Sequence, residues 1–176
     1  MKKVSLLSIS GSLRADSTNT LILRKLAEFL PEHVSYELFE GLDQIPHFSP
    51  SLPDNAAVTN FKQAIQRADG VIICTPEYAF GVPGTLKNAL DWTVSTGELN
   101  DKPVAAISAS PLNTGGDKAL ASLLLTLTAL GTRRNEDSAL SIPNIKLKIN
   151  SLNQIVDETT LEALKAQCDN LLKIIG

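Results

Sequence analysis

Short apolar runs alternate with helix-period patterns along the whole of this 176-residue chain. The runs fall at 4–9, 34–39, 71–74, 103–109 and near 135–142. The run at 4–9 is apolar on both faces, as a central strand of a parallel sheet must be, and 71–74 reads as a compact buried strand. Between the runs, Ile22, Leu23, Leu26, Ala27 and Leu30 form one helical stripe, and Val58, Phe61, Ile65 and Ala68 form another. Asp16 or Ser17 caps the first of these helices and Asn55 the second, while Pro31 and Gly70 close them. Pro83 suits the first turn of a third helix, from 84 to about 94. A fourth runs from about 117 to 130, capped by Asp117, and a last one opens where Thr159 and Glu162 have capping-box spacing. Five strands with intervening helices, and no linker or change of composition, predict a single doubly wound α/β domain over residues 1–176.

In such folds ligands sit outside the carboxyl ends of the strands. Three loops of this chain lie there. The first, 10–19, carries Ser12, Arg14, Ser17, Thr18 and Asn19 directly before a helix. A helix start offers unpaired N–H groups and the positive end of a dipole, so hydroxyls and a guanidinium beside it make a phosphate cradle. Gly-x-Gly-x-x-Gly is absent, as is the Gly-Lys-Ser/Thr of a P-loop, so one phosphate is indicated and a mononucleotide fits better than a dinucleotide.

The second loop, 75–82, is dense in aromatic and rigid residues for a chain with 5% aromatics. A planar heterocycle stacks near Tyr78 or Phe80 and takes hydrogen bonds from loop N–H groups, donors of a kind that stabilise the extra negative charge of a reduced flavin. Alternatively, the two aromatics plug the end of the sheet. Glu77 is either an orienting group or a solvated carboxylate. In the third loop, 108–116, Ser110 and Gly115 are candidates for a pocket wall, although a capped turn accounts for the same residues.

The remaining features narrow the partners. A net charge of −3 without a Lys/Arg cluster excludes a nucleic-acid footprint, and Lys146 and Lys148 read as the solvated face of a strand. The apolar run after Met-Lys-Lys is too short for a signal peptide, and no run reaches membrane-spanning length. Cys74 and Cys168 lie far apart, without metal-ligand spacing, and His33 and His47 have no companion ligands. A reducing, cytoplasmic location and no metal centre follow. The 117–130 helix has apolar residues around most of its circumference, more than one buried face needs, so a second subunit is predicted to cover it, together with the 86–92 helix.

Two stretches carry a resemblance. Gly11-Ser-Leu-Arg-x-x-Ser-x-Asn19 and Thr75-Pro-Glu-Tyr-x-x-x-x-Pro-Gly-x-Leu-Lys-Asn-Ala-Leu-Asp-Trp92 together closely resemble the NADPH-dependent FMN reductase family, which includes bacterial quinone, azo-dye and chromate reductases. The resemblance implies a flavodoxin-like three-layer sandwich with a parallel sheet in the order 2-1-3-4-5. It implies a non-covalent FMN whose phosphate is held by Ser12, Arg14, Ser17, Thr18 and Asn19. It further implies ring contacts from Pro76, Glu77, Tyr78 and Ala79, with Ser110 closing the site, NADPH or NADH as electron donor, and homodimers or homotetramers. The expected reaction passes hydride from NAD(P)H to the flavin and then electrons to a quinone, azo compound, free flavin or metal oxyanion, by a ping-pong scheme with no side-chain nucleophile or base. An electron carrier and a flavin-binding sensor or interaction module stay open as alternatives. The chain departs from the family at Ala79-Phe80, where Asn-Tyr is usual, and at Asp117-Lys118, where Ala-Arg is usual.

Overall fold

The computed structural model describes residues 3–176. Five parallel strands, β1 (Val4–Ser10), β2 (Val34–Leu38), β3 (Gly70–Thr75), β4 (Val104–Ala109) and β5 (Ala139–Ile142), form one sheet in the order β2-β1-β3-β4-β5. The helices are α1 (Thr18–Ala27), α2 (Ala56–Arg67), α3 (Gly84–Asp91), α4 (Asp117–Ala129) and α5 (Glu158–Ile175). Every residue of β3 and β4 is buried, as runs apolar on both faces require.

The period of two in the strands divides the core. Leu7, Ile9, Val71, Ile73, Val104 and Ala106 face α2, α3 and α4, where Phe61, Ile65, Leu90 and Leu123 pack against them. Leu6, Ile72, Cys74, Ala105 and Ile107 face the opposite way, onto Ile22, Leu26, Leu164 and Leu171 of α1 and α5. This is the three-layer, flavodoxin-like arrangement with the predicted strand order. The order reverses between β1 and β3, and that switch point leaves a crevice at the carboxyl ends.

Several local expectations differ from the structure. Asp117 is the first residue of α4 and not its cap; Gly116, in the left-handed region at φ 80°, precedes it and offers no side chain. The cap of α5 is Asp157, whose carboxylate accepts from Thr160 N at 2.9 Å, because Thr159 already lies inside the helix. β5 is shorter than 135–142: Asn135 and Ser138 bond each other's backbone and wind 136–138 into a 3-10 turn. Lys146 and Lys148 stand on a second 3-10 turn, Ile145–Lys148, and not on a strand.

The apolar surplus of α4 is largely internal. Ala119, Leu120, Leu123, Leu127 and Leu130 are buried in the chain's own core, and Leu124 packs against it. What remains outside is a narrow strip at helical spacing, Ala121, Leu125 and Ala129, with Leu125 74% exposed. Trp92 is core: its ring meets Phe48 edge-on at 5.3 Å, and its Nε1 donates to Pro46 O at 2.9 Å. Asn88 joins it by accepting from Phe48 N at 2.7 Å. Both motif residues therefore pin the irregular 46–53 segment against α3.

Candidate functional site

β1 ends at Ser10, and Gly11 N donates to Cys74 O at 2.8 Å, which ties the first loop to the end of β3. A Cβ on Gly11 would lie 2.8 Å from Thr75 Oγ1 and 3.0 Å from Leu86, so only glycine allows this approach. The chain then turns into α1 with Ser17 as N-cap, its Oγ accepting from Asn19 N at 3.2 Å. Ser12 Oγ likewise accepts from Arg14 N at 3.4 Å. In both bonds the hydroxyl acts as acceptor, which keeps its O–H as a donor toward an anion. Asn19 Oδ1 accepts from the Cys74 thiol at 3.3 Å, leaving the amide NH₂ as the free end of that side chain. Burial raises the pKa of Cys74 far above that of a free thiol, so it is an inert core group.

Arg14 is exposed and already engaged. Its Nη2 donates to both carboxylate oxygens of Asp16, at 3.1 and 3.2 Å. That hydrogen bond and the guanidinium charge hold the Asp16 carboxyl below the ordinary 3.8, with Lys146 adding to the effect.

The second loop is a tight hairpin. Tyr78 and Gly81 exchange both backbone hydrogen bonds at 3.0 Å, with Ala79 (φ 48°) and Phe80 (φ 61°) at its tip. Two successive left-handed residues are the geometry of a type I′ turn, which asparagine or glycine adopts at lower cost than alanine or phenylalanine. Phe80 is 78% exposed and Tyr78 51%, so neither plugs the sheet.

The Glu77 carboxylate does not stand free in solvent. Its Oε2 accepts from Lys118 N and Ala119 N, both at 3.0 Å, and so caps α4 from another loop. Gly116 leaves that helix start without a cap of its own, and the dipole favours a carboxylate there. In the third loop Ser110 Oγ accepts from Leu112 N at 3.1 Å.

Ser12, Arg14, Ser17, Thr18, Asn19, Pro76, Glu77, Tyr78 and Ser110 line one cavity of about 480 Å³. Its size falls within the roughly 300–1,000 Å³ of small-molecule sites. Ala79 and Gly115 do not line it, and neither does Phe80. Sequence reasoning missed Asp16, Leu112 and Lys146, which do. Lys146 has the alternation of a strand face, and the 3-10 turn after β5 brings it to the cavity.

The family model for NADPH-dependent FMN reductases matches residues 4–146, which carry all three loops. The chain belongs to this family. The NADH:(hydroxy)cinnamate reductase subunit CrdA of Vibrio ruber is 34% identical over 163 residues, covering 90% of this chain and 80% of that protein. A quinone reductase of Escherichia coli K12 is 30% identical over 176 residues, with coverage of 94% and 92%. Among solved structures, FerB, a flavoenzyme NAD(P)H:(acceptor) oxidoreductase from Paracoccus denitrificans, superposes with a TM-score of 0.87 at 27% identity, over 98% of this chain and 97% of that one. The cofactor pair of the family is FMN and NAD(P)H.

The donor set of this FMN reductase suits that cofactor. One wall offers hydroxyls, an amide NH₂, a guanidinium and a helix start, which is phosphate chemistry. The other offers Pro76, Tyr78 and Leu112, which is the chemistry of a planar ring. No group of three or more potential metal ligands exists among the described residues, and no helix among them is long and apolar enough to cross a membrane.

Proposed function

We propose that this chain, working as one unit over residues 1–176, transfers electrons from NAD(P)H to small planar acceptors, with quinones the best-suited class, in a ping-pong cycle. The observation that carries the reading is a single cavity with a phosphate-type wall on α1 and an aromatic wall on the β3–α3 hairpin. Ser12, Arg14, Ser17, Thr18 and Asn19 hold the FMN phosphate, while Pro76, the backbone of Glu77, Tyr78 and Ser110 flank the ring. Ala79, off the cavity, shapes the turn. Bound there, FMN supplies a ring that takes up hydride and gives up electrons in pairs.

The protein's part is position and surroundings. Glu77 fixes the hairpin, one wall of the cavity, to the start of α4. Tyr78 and Leu112, each more than half exposed, give the mouth an apolar rim. Such a rim favours quinones and azo compounds over a metal oxyanion, which has no apolar surface to bury. Donor and acceptor that approach one mouth must bind in turn, hence the ping-pong order.

For the assembly, the exposed Ala121, Leu125 and Ala129 strip on α4 supports a homodimer or homotetramer, which light scattering on the purified protein measures directly. Two buried thiols without a disulfide suit a reducing cytoplasm. The reading is tested by mixing the FMN-loaded protein with NADPH or NADH without oxygen. Flavin absorbance should bleach and return on adding a benzoquinone, with parallel double-reciprocal lines in steady state. Bleaching that requires the quinone to be present first would overturn the ping-pong scheme.

A further inference from the structure

The two lysines that follow β5 have parted company. Lys148 Nζ reaches Asp157 Oδ2 and Thr160 Oγ1, both at 2.9 Å, and so serves the start of α5. Lys146 stands on the same 3-10 turn but lines the cavity. The turn holds it there firmly. Asn144 N donates to Leu112 O at 3.0 Å and Ile145 N to Ser110 O at 3.1 Å, while the Ile145 side chain is fully buried. The turn is thus fastened to the third loop.

The charges of the cavity make this position matter. Four charged side chains line it: Arg14, Asp16, Glu77 and Lys146. Glu77 is committed to α4, and Arg14 is shared with Asp16. Among the described residues Lys146 has no ion-pair partner. It is near enough to Asp16 to help hold that carboxyl ionised, after the larger effect of Arg14. A phosphate dianion entering beside Asp16 meets one cation already paired with a carboxylate.

We propose that Lys146 is the second cation it meets, a phosphate-binding residue that reaches the FMN site from the β5 side of the sheet. Lys146 and Arg14 then grip the phosphate from two loops far apart in sequence. The inference rests on the FMN site proposed above.

The test compares FMN with riboflavin, which has the same ring and ribityl chain without the phosphate, by fluorescence titration of the apoprotein. One lysine acting on a dianion across partly exposed space is worth about five- to thirty-fold in affinity. Lys146→Gln should weaken FMN by that factor, leave riboflavin within about twofold, and flatten the salt dependence of FMN binding. Lys146→Arg should restore FMN binding. Equal changes for FMN and riboflavin, or no change for FMN, would overturn the inference while FMN binding by the unaltered protein upholds the site. An unchanged FMN affinity with a raised KM for NADPH would assign the lysine to a nucleotide phosphate and also overturn it. Absence of FMN binding by the unaltered protein would defeat both readings together.

Discussion

Replacing Glu77 separates two roles that a carboxylate in a flavin-binding loop could play. Its Oε2 accepts from Lys118 N and Ala119 N at 3.0 Å each, and the preceding residue, Gly116, has no side chain to substitute for it. Glu77→Ala removes an N-cap, worth about 0.5–2 kcal/mol. It also removes a negative charge from the positive end of α4, worth about 0.3–1 kcal/mol. The two together predict a loss of about 1–3 kcal/mol. For a domain of this size each kcal/mol corresponds to about 2–4 °C in Tm, so the variant should melt roughly 2–12 °C lower. Glu77→Gln keeps an acceptor and loses only the charge, so its loss should stay near 0.3–1 kcal/mol. The assay is thermal and urea unfolding of the apoprotein, where no cofactor can contribute. FMN affinity of the Gln variant should stay within about threefold of the unaltered protein, a difference of about 0.7 kcal/mol. An apoprotein of unchanged stability in Glu77→Ala, paired with a large loss of FMN affinity in Glu77→Gln, would refute the capping role and return the carboxylate to the ring.

Three further outcomes follow from the same geometry. Arg14→Ala removes a charge-assisted contact worth about 1.5–3 kcal/mol, so FMN should bind at least tenfold more weakly in fluorescence titration. It also strands Asp16 beside the phosphate, and adding Asp16→Ala should recover part of the loss. Ala79→Gly relieves a left-handed alanine costing about 1–2 kcal/mol, against about 0.5–1 kcal/mol of added chain entropy. A net gain of about 0.5–1 kcal/mol in thermal unfolding is expected, and a loss would deny the left-handed turn in solution. Asp157 is held at about 2, down from 3.8, by the Thr160 hydroxyl, by Lys148 and by Thr160 N. A depressed folded-state value means that its stabilisation is complete above about pH 4 and is lost as pH falls through 2. Urea midpoints of Asp157→Asn should therefore fall less steeply between pH 4 and 2 than those of the unaltered protein.

What the sequence disclosed was whatever depends on neighbours in the chain. Two-sided apolar runs placed β1 and β3, since burial on both faces leaves no room for alternation. Caps that act two or three residues away, Ser17 on Asn19 and Asn55 on Val58, were legible for the same reason. Many of the residues that line the cavity from α1 and from the hairpin could be named, because a helix start and a proline-bounded hairpin are local objects. At α5 a local rule pointed to Thr159, but Asp157 reached Thr160 first and Lys148 secured it.

The misses share a physical cause, which is that they depend on partners brought together by the sheet. Glu77 caps a helix that begins about forty residues later, and nothing in its own segment announces that helix. Lys146 has the spacing of a strand residue, yet Ser110 and Leu112 capture the backbone after β5 and wind it into a 3-10 turn. Both cases join loops from neighbouring strand ends: β3 to β4 through Glu77, and β4 to β5 through the Asn144 and Ile145 amides. The carboxyl edge of the sheet is thus cross-braced beyond its strand pairing, and the brace runs through the residues that line the cavity. A site built this way keeps its shape before a cofactor arrives, because each wall is fixed by a partner other than the ligand. Preorganisation of that kind lowers the ordering cost of binding, so a phosphate and a planar ring can both be held without a covalent link.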